Sequence, residues 1–575
     1  MHLDIRTELL EAYQSDSALK LIGDIYVRSA RKENYILPDV LVELNTTINI
    51  FSLFSGATAK SNEYNFWAVC QVFVDVLPKI QVAPSKLLEC LNNLLVEAGS
   101  NAGLNGVFSA LEKYCEQRPE YPKDLLLLII QEPECSHNFL NNVLVSGGKQ
   151  DPKWFIDNLI VLTTHSQSTV RAQCVMAIER ANFLSGEWQS TIWDMLSTLV
   201  DKENDEVVKG RLLRACLKVG NKIFTDSSAT LKLLATLLKN NEPEVLFQAS
   251  NLARIEPNTN SQEIFELFIN HLQQCTPDCQ PVLDQIDYIL VDLLEANQVT
   301  IIDQLLTSLL SEPQSNSINA FDYFTSELLT KYPLYRDHTI VSWLSSRNTK
   351  LCRAAEDILE SVVGDEAKIE INLPNKEVDY EVQELIFLAK KGAGWLFARP
   401  VSAASLLLSI YLKLPTSSQS QIIKLIFDPL LLSYPGELGR YLKEKSSVDE
   451  YSEVCLKLIQ MYEEYSTNLQ HARECKELNA PQNNTVAYWN EFNNSMQKAK
   501  DEAPKSIFEQ LCTVQHLLYG NSSAFYVSDE TGEHHRSEVQ MQSISHSVEM
   551  PKLHILDPEG FELELRFLRT EGHTQ

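Results

Sequence analysis

The chain has 575 residues, 44% of them hydrophobic and 9% aromatic, with a formal net charge of −28. This composition is that of a packed, folded chain and excludes a disordered one. An acidity of this size repels phosphate backbones and anionic lipid, which disfavours nucleic acid and membranes as partners.

The compartment is indicated by the cysteines and the N-terminus. Twelve cysteines fall mostly at apolar helix positions and form no disulfide framework, which points to a reducing compartment. Residues 1–13 are amphipathic and lack the basic start and apolar core of a signal peptide. The most apolar run, residues 125–130, is too short to span a bilayer. We therefore predict a cytoplasmic protein without membrane contact.

Residues 1–150 form the first predicted region, in which helical periodicity is present but irregular. Degenerate repeats that begin and cap a longer array explain this pattern. Ser146, Gly147, Gly148 and Lys149 have the composition of a phosphate loop but lack its first glycine and the hydroxyl residue after the lysine. A turn between two helices is therefore predicted at these four residues.

Residues 151–365 contain the strongest pattern, a helical unit that repeats about six times. The first residues of the units stand at 170, 208, 245, 282, 321 and 351, with a period near 37. Each unit is apolar or small at positions 0, +4, +7 and +8, the spacing of one helix face. The template residues are Val170, Cys174, Ala177, Ile178; Val208, Leu212, Ala215, Cys216; Val245, Ala249, Leu252, Ala253; Val282, Ile286, Ile289, Leu290; Phe321, Thr325, Leu328, Leu329; and Leu351, Ala355, Ile358, Leu359.

A second amphipathic stretch precedes most of the template helices. The stretches are residues 154–162, 192–200, 231–238, 264–272 and 302–310. Short turns rich in Asn, Asp, Ser and Pro join each pair, and these residues favour helix starts. One hairpin of this kind cannot bury its apolar stripe alone, so the pattern predicts stacked two-helix repeats, a mainly α solenoid.

Two of the units also carry a basic residue directly after the first valine, namely Arg171 and Lys209. Together with the small residues of the template, this pattern over about residues 154–366 resembles the second helix of HEAT repeats. Later units depart from it, with Leu246, Leu283 and Asp322 at that position. The resemblance implies a protein-binding scaffold, and some HEAT-type proteins bind nucleic acid.

A basic wall is the candidate site in this region. Equivalent helices of a solenoid line one continuous surface, which could bind an acidic peptide or a nucleic-acid backbone. Pairing of the basic residues with acids of neighbouring repeats, such as Glu179 and Glu203, is the simpler interpretation. The wall consists of Arg171, Lys209, Arg211, Arg214, Lys218, Arg254 and Arg353.

Residues 366–505 predict a further helical region after a charged linker or short extended piece near residues 365–379. Residues 427–436 are apolar and contain two prolines, which favours a buried kink over a partner-binding patch. Residues 506–575 predict a small α+β, β-rich C-terminal domain. Its strands are expected at 525–527, 537–548 and 561–567, the last after a turn at 557–560.

The C-terminal region also holds the candidates for chemistry. His534, His535, His546, His554 and His573 could bind zinc on adjacent strands, although their spacing matches no known ligand pattern. Alternation would place Glu562, Glu564 and Arg566 on one strand face, where a solvated, charge-paired face is the default. No Walker, GxSxG, HExxH or GxGxxG motif occurs in the chain.

Three functions follow from these observations. The favoured one is a non-enzymatic scaffold or adaptor that binds one or more proteins within a larger assembly and needs no cofactor or metal. The second is a nucleic-acid-contacting subunit of a repair or antiviral machine that uses the basic wall. The third is a metal-dependent enzyme with its site in the C-terminal β-rich domain.

Overall fold

The computed structural model describes residues 2–29, 35–60, 64–99, 102–239, 241–255, 261–360, 368–374, 380–475, 489, 490, 492–494, 522–528, 534–540, 549, 551–553 and 557–572. The chain divides into two units, Met1–Thr330 and Lys331–Gln575. Within the described ranges, no helix combines the length and the apolar character needed to cross a membrane.

The first unit consists of helices joined by short turns. Its first ten helices are α1 (His2–Gln14), α2 (Ala18–Ser29), α3 (Leu37–Leu44), α4 (Ile50–Ser55), α5 (Phe66–Val76), α6 (Pro84–Ala98), α7 (Asn105–Glu116), α8 (Tyr121–Gln131), α9 (Pro133–Ser136) and α10 (Leu140–Gln150). The next ten are α11 (Pro152–Leu162), α12 (Ser168–Arg180), α13 (Gly186–Lys202), α14 (Glu206–Ile223), α15 (Ser228–Leu237), α16 (Pro243–Ile255), α17 (Gln262–Leu272), α18 (Gln280–Glu295), α19 (Val299–Leu310) and α20 (Asp322–Lys331).

These helices stack as two-helix units. The template helices α12, α14, α16 and α18 pack on one another in order, and α2, α5, α7 and α10 continue this row towards the N-terminus. The preceding helices α11, α13, α15, α17 and α19 form a second row. The stacking therefore confirms the prediction of a mainly helical α-solenoid.

The template residues form the core between the stacked helices. All of them are buried except Leu329, which is half-buried. Small residues such as Ala177, Ala215 and Ala249 have no exposed surface, which lets neighbouring helices approach closely. The apolar face read from the sequence is thus the face that holds successive repeats together.

Gly147 and Gly148 lie inside α10 and do not form the predicted turn. A Cβ built on Gly147 would stand 2.3 Å from the Trp154 ring, and one on Gly148 would stand 2.4 Å from the Phe183 ring. The two glycines therefore let aromatic rings lie against the backbone of α10. The close approach of these rings, rather than the geometry of a loop, explains why both residues are glycine.

The second unit contains the remaining described elements. They are α21 (Pro333–Ser345), α22 (Thr349–Glu360), α23 (Val382–Trp395), α24 (Pro400–Lys413), α25 (Thr416–Leu425), α26 (Glu437–Lys445), α27 (Asp449–Arg473), β1 (Ser522–Ser528), β2 (His534–Gln540) and α28 (Pro558–Thr570). A π-helical turn, Ile426–Leu431, contains Pro429 and buries it, which is the predicted kink.

The short extended piece after the repeats is residues 368–374. The N–H groups of Ile371 and Leu373 donate to the Oγ atoms of Ser405 and Ser409, at 2.8 Å and 3.0 Å. Both apolar side chains are buried. Serines of α24 therefore replace the partner strand that an extended segment normally needs.

The C-terminal prediction is wrong in one part, because residues 558–570 form a helix. Asp557 caps it by accepting a hydrogen bond from the Gly560 N–H at 3.1 Å, and Pro558 takes its first turn. The expected strand face of Glu562, Glu564 and Arg566 therefore does not exist.

Upstream, β1 and β2 pair in an antiparallel manner, with Phe525 opposite Ser537. A separate β-rich domain remains a prediction.

Candidate partner-binding surface

Several residues of the basic wall are held by carboxylates of a neighbouring repeat. Arg171, in the first turn of α12, donates Nε and Nη2 to the two carboxylate oxygens of Glu203, at 2.7 Å and 2.8 Å. Glu203 lies in the turn before α14, and its side chain is only 3% exposed. This fork-shaped contact fixes the end of one repeat to the next.

The pKa values of this pair are shifted in opposite directions. The hydrogen bonds to Glu203 raise the pKa of Arg171 above its ordinary value. Burial acts to raise the pKa of Glu203, but the hydrogen bonds from Arg171 and from backbone N–H groups outweigh burial and lower it. Both groups are therefore charged at neutral pH.

The same arrangement recurs along the row of template helices. Lys209 donates to Glu242 of the following repeat at 2.6 Å. Arg214 donates to Glu179 of the preceding repeat at 3.3 Å, and Lys218 approaches the same carboxylate to 3.9 Å. Four residues of the basic wall are thus paired between repeats, as the simpler interpretation of the sequence had it.

The other three residues of the basic wall differ from these four. Arg211 is half-buried and has no charged partner among the described residues of the first unit. Arg353 lies exposed on α22, in the second unit. Arg254 donates to the Gln285 side chain at 3.0 Å, and its guanidinium lies 4.1 Å from the centre of the Tyr288 ring.

Arg254 belongs to a feature that the sequence analysis missed, which we name the tyrosine stripe: Arg254, Tyr288 and Tyr323. The ring centres of Tyr288 and Tyr323 are 5.6 Å apart, so the three side chains bridge α16, α18 and α20. Tyr288 is 42% exposed and Tyr323 is 44% exposed. Tyrosine and arginine are enriched among the side chains that carry the binding energy of protein interfaces.

Acidic groups surround the tyrosine stripe. Asp287 accepts hydrogen bonds from the backbone N–H groups of Tyr323 and Phe324, at 3.0 Å and 2.8 Å, and so fixes the start of α20. Burial raises the pKa of Asp287 and also that of Asp292. Asp284 and Glu295 lie exposed on α18. The stripe is therefore an aromatic surface with a negative rim.

No group of three or more metal-binding side chains occurs in the part of the chain that the structure describes. His546, His554 and His573 lie outside the described residues, and for His534 and His535 only the strand β2 is described. Glu562 and Glu564 are helical, so the strand-based carboxylate arrangement is wrong.

No family model and no curated protein matches the sequence. A solved chain from the Pds5-Scc1 complex is similar at 13% identity and a TM-score of 0.21, covering 81% of this chain and 88% of that one. A circular tandem repeat protein with a novel repeat topology is similar at 13% identity and a TM-score of 0.16, covering 82% and 100%. The stacked two-helix units with their buried template residues are what make this chain similar to HEAT-repeat α-solenoid proteins.

Proposed function

We propose that the protein is a non-enzymatic, HEAT-like scaffold that binds protein partners, and that the tyrosine stripe is one of its contact surfaces. The observation that carries the proposal is the pair of tyrosines, both more than 40% exposed, held in fixed positions across three successive repeats. Rigid aromatic side chains lose little conformational entropy on binding, which makes such a surface favourable for association.

The charges around the stripe define the partner. Arg254 is engaged by Gln285 and Tyr288, while Asp284, Asp292 and Glu295 form the rim. A partner that presents a basic rim around an apolar or aromatic centre matches this distribution. The basic wall serves the scaffold by joining repeats, because four of its members are paired across them.

The test is affinity purification of the full chain, with partners quantified by mass spectrometry. The test variant is Tyr288→Ala with Tyr323→Ala, which removes both rings. The control is Tyr13→Ala with Tyr465→Ala, because these tyrosines are similarly exposed, at 39% and 37%, and belong to other helices, α1 and α27. Removal of anchor rings commonly weakens a complex by tenfold or more.

We expect a stoichiometric protein partner that the wild type and the control variant retain and the test variant loses by at least about tenfold. If all three proteins recover the same amount of partner, the tyrosine stripe is not a contact surface for it. Recovery of the bait alone would contradict the scaffold function itself.

A further inference from the structure

The helix α18 carries exposed polar and aromatic side chains on one ridge. They are Asp284, Tyr288, Asp292 and Glu295, at the three- and four-residue spacings of a single helix face. A helix rises about 1.5 Å per residue, so Asp284 and Asp292 stand about 12 Å apart along the axis, with Tyr288 midway. Tyr288 therefore has a carboxylate one turn before it and another one turn after it.

Arg254 already binds to Tyr288 on one side. Its guanidinium lies 4.1 Å from the ring centre and donates to the Gln285 side chain at 3.0 Å. Burial raises the pKa of Asp292, one turn after Tyr288, and the charge of Arg254 opposes that rise. The guanidinium is therefore stabilised by an aromatic ring and by a nearby carboxylate, the two groups that favour a stacked arginine. The tyrosine stripe thus contains its own example of this contact.

Tyr323, at the other end of the stripe, also has carboxylates beside it. Asp287 accepts hydrogen bonds from the N–H groups of Tyr323 and Phe324, at 3.0 Å and 2.8 Å. Burial raises the pKa of Asp287, and the charges of Asp322 and Asp284 raise it further, so the three carboxylates lie near one another. Among the described residues, no lysine or arginine forms an ion pair with any of the three.

The Tyr323 ring is also open to a ligand. The side chain is 44% exposed, and the ring is tilted by 59° to that of Tyr288, so the two rings are not stacked face to face. In the part of the chain that the structure describes, no cation lies over Tyr323, whereas Arg254 lies over Tyr288. The two ends of the stripe therefore offer the same two groups, a ring and carboxylates, but only one of them already binds a guanidinium.

We propose that an arginine side chain of the partner protein stacks on Tyr323 and pairs with the carboxylates of Asp284 and Asp322. This inference rests on the function proposed above and names the group that the tyrosine stripe recognises. Arginine matches better than lysine, because its planar guanidinium stacks on a ring and is less strongly hydrated than an ammonium. Asp287 adds negative charge while it holds the start of α20.

The experiment titrates the full chain, labelled with 3-fluorotyrosine, with N-acetylarginine methylamide and follows binding by fluorine NMR at physiological salt. The chain has 20 tyrosines, so the signals of Tyr288 and Tyr323 are assigned from the variants Tyr288→Phe and Tyr323→Phe. Two matched probes replace arginine by lysine, which keeps the charge, and by citrulline, which keeps the shape without the charge.

The test variant is Asp284→Asn with Asp322→Asn, which removes two exposed carboxylates and leaves Asp287 in place. The matched control is Asp194→Asn with Asp201→Asn, because both residues are exposed on α13 and the net charge changes by the same amount. This control separates the site from the general attraction of an acidic protein for cations.

We expect the arginine probe to shift the Tyr323 signal in a saturable manner and the citrulline probe to leave it unchanged. The lysine probe should bind about two- to fivefold more weakly than the arginine probe. The test variant should bind the arginine probe about two- to fivefold more weakly than the wild type, and the control variant should match the wild type.

Three results of the titration would overturn the proposal: no saturable shift of Tyr323, equal affinity for the arginine and lysine probes, or equal affinity of the test and control variants. The titration needs no partner, so it decides the inference even if the affinity purification recovers the bait alone. A partner that is lost from the Tyr288→Ala, Tyr323→Ala protein but fully retained by Asp284→Asn with Asp322→Asn would keep the stripe as a contact surface and overturn only the arginine.

Discussion

The Arg171–Glu203 ion pair should contribute strongly to the free energy of unfolding, because the Glu203 carboxylate is buried. Replacement of Arg171 by Met leaves the Glu203 carboxylate, 3% exposed, without its cation. We expect the free energy of unfolding to fall by about 2–3 kcal/mol, because an uncompensated buried charge is costly. Urea denaturation followed by circular dichroism measures this change.

The matched control for this substitution is Lys79→Met. Lys79 pairs with Asp39 at 2.6 Å, but the two side chains are 47% and 63% exposed. Solvent screens such a pair, so its loss should cost less than about 1 kcal/mol. Equal effects of the two substitutions would show that the Arg171–Glu203 pair does not hold the repeats together.

His271 in α17 predicts a pH dependence for the first unit. The side chain is 4% exposed, and burial lowers its pKa to about 4, below the unfolded value of about 6.5. The unfolded chain therefore binds a proton first, and stability falls as the pH drops from 6.5 towards 4. Between pH 7.5 and pH 4.5 this group should cost about 2–3 kcal/mol, measured by urea denaturation.

The variant His271→Leu should lose that part of the acid sensitivity. Leu272→Ala, a truncation in the same helix, is the control and should lower stability by a similar amount at both pH values. If His271→Leu and the wild type lose the same stability between pH 7.5 and pH 4.5, His271 already carries a proton in the folded protein at acidic pH.

At the scale of elements, the packing of α10 depends on Gly148. A methyl group there would stand 2.4 Å from Phe183 and 2.9 Å from Phe155. We expect Gly148→Ala to destabilise the protein by about 1–3 kcal/mol, because overpacking exceeds the gain in helix propensity. Gly23→Ala in α2, with its nearest neighbour atom at 3.7 Å, should instead be neutral or stabilising. Thermal unfolding of both variants tests the contrast.

The repeats could be predicted from sequence because burial fixes the template positions. An apolar face that recurs every repeat must meet its neighbour, and only Leu329 among the template residues escapes full burial. The tyrosine stripe could not be predicted in this way, because Tyr288 and Tyr323 lie outside the template. Arg214 and Tyr288 occupy the same place, six residues after Val208 and Val282, and no periodicity reveals such a change of chemistry.

The strand prediction for residues 561–567 is wrong because the apolar residues fit both the period of two of a strand and the four-residue spacing of a helix face. Phe561, Leu563, Leu565 and Phe567 alternate, but Phe561 with Leu565 and Leu563 with Phe567 are also one helical turn apart. The preceding Asp557-Pro558 is a helix-start signal that outweighs the alternation. The packing of α28 on α23 could not be predicted from sequence, since the two helices are far apart in the chain.

For the whole molecule, the net charge of −28 and the paired basic wall predict the response to nucleic acid. Arginines and lysines that already hold a carboxylate are not free to neutralise phosphates and so to release the counterions condensed on the nucleic acid. We expect no shift of a short DNA or RNA duplex in a mobility assay at physiological salt. A shift that weakens steeply with salt and disappears in Arg211→Glu would instead support the nucleic-acid function.

The ion pairs between repeats limit which insertions and deletions the chain can accept. Lys209 meets Glu242 and Arg171 meets Glu203, in both cases an acid in the turn before the next template helix, so removal of one whole repeat would leave Arg171 facing a turn that also carries a carboxylate. Loss of a single residue within a helix would instead rotate the rest of that helix by about 100° relative to its neighbours and disrupt the packing and the ion pairs made across that point. Selection on this gene should therefore tolerate gain or loss of complete hairpins more readily than small insertions within α12, α14 or α16.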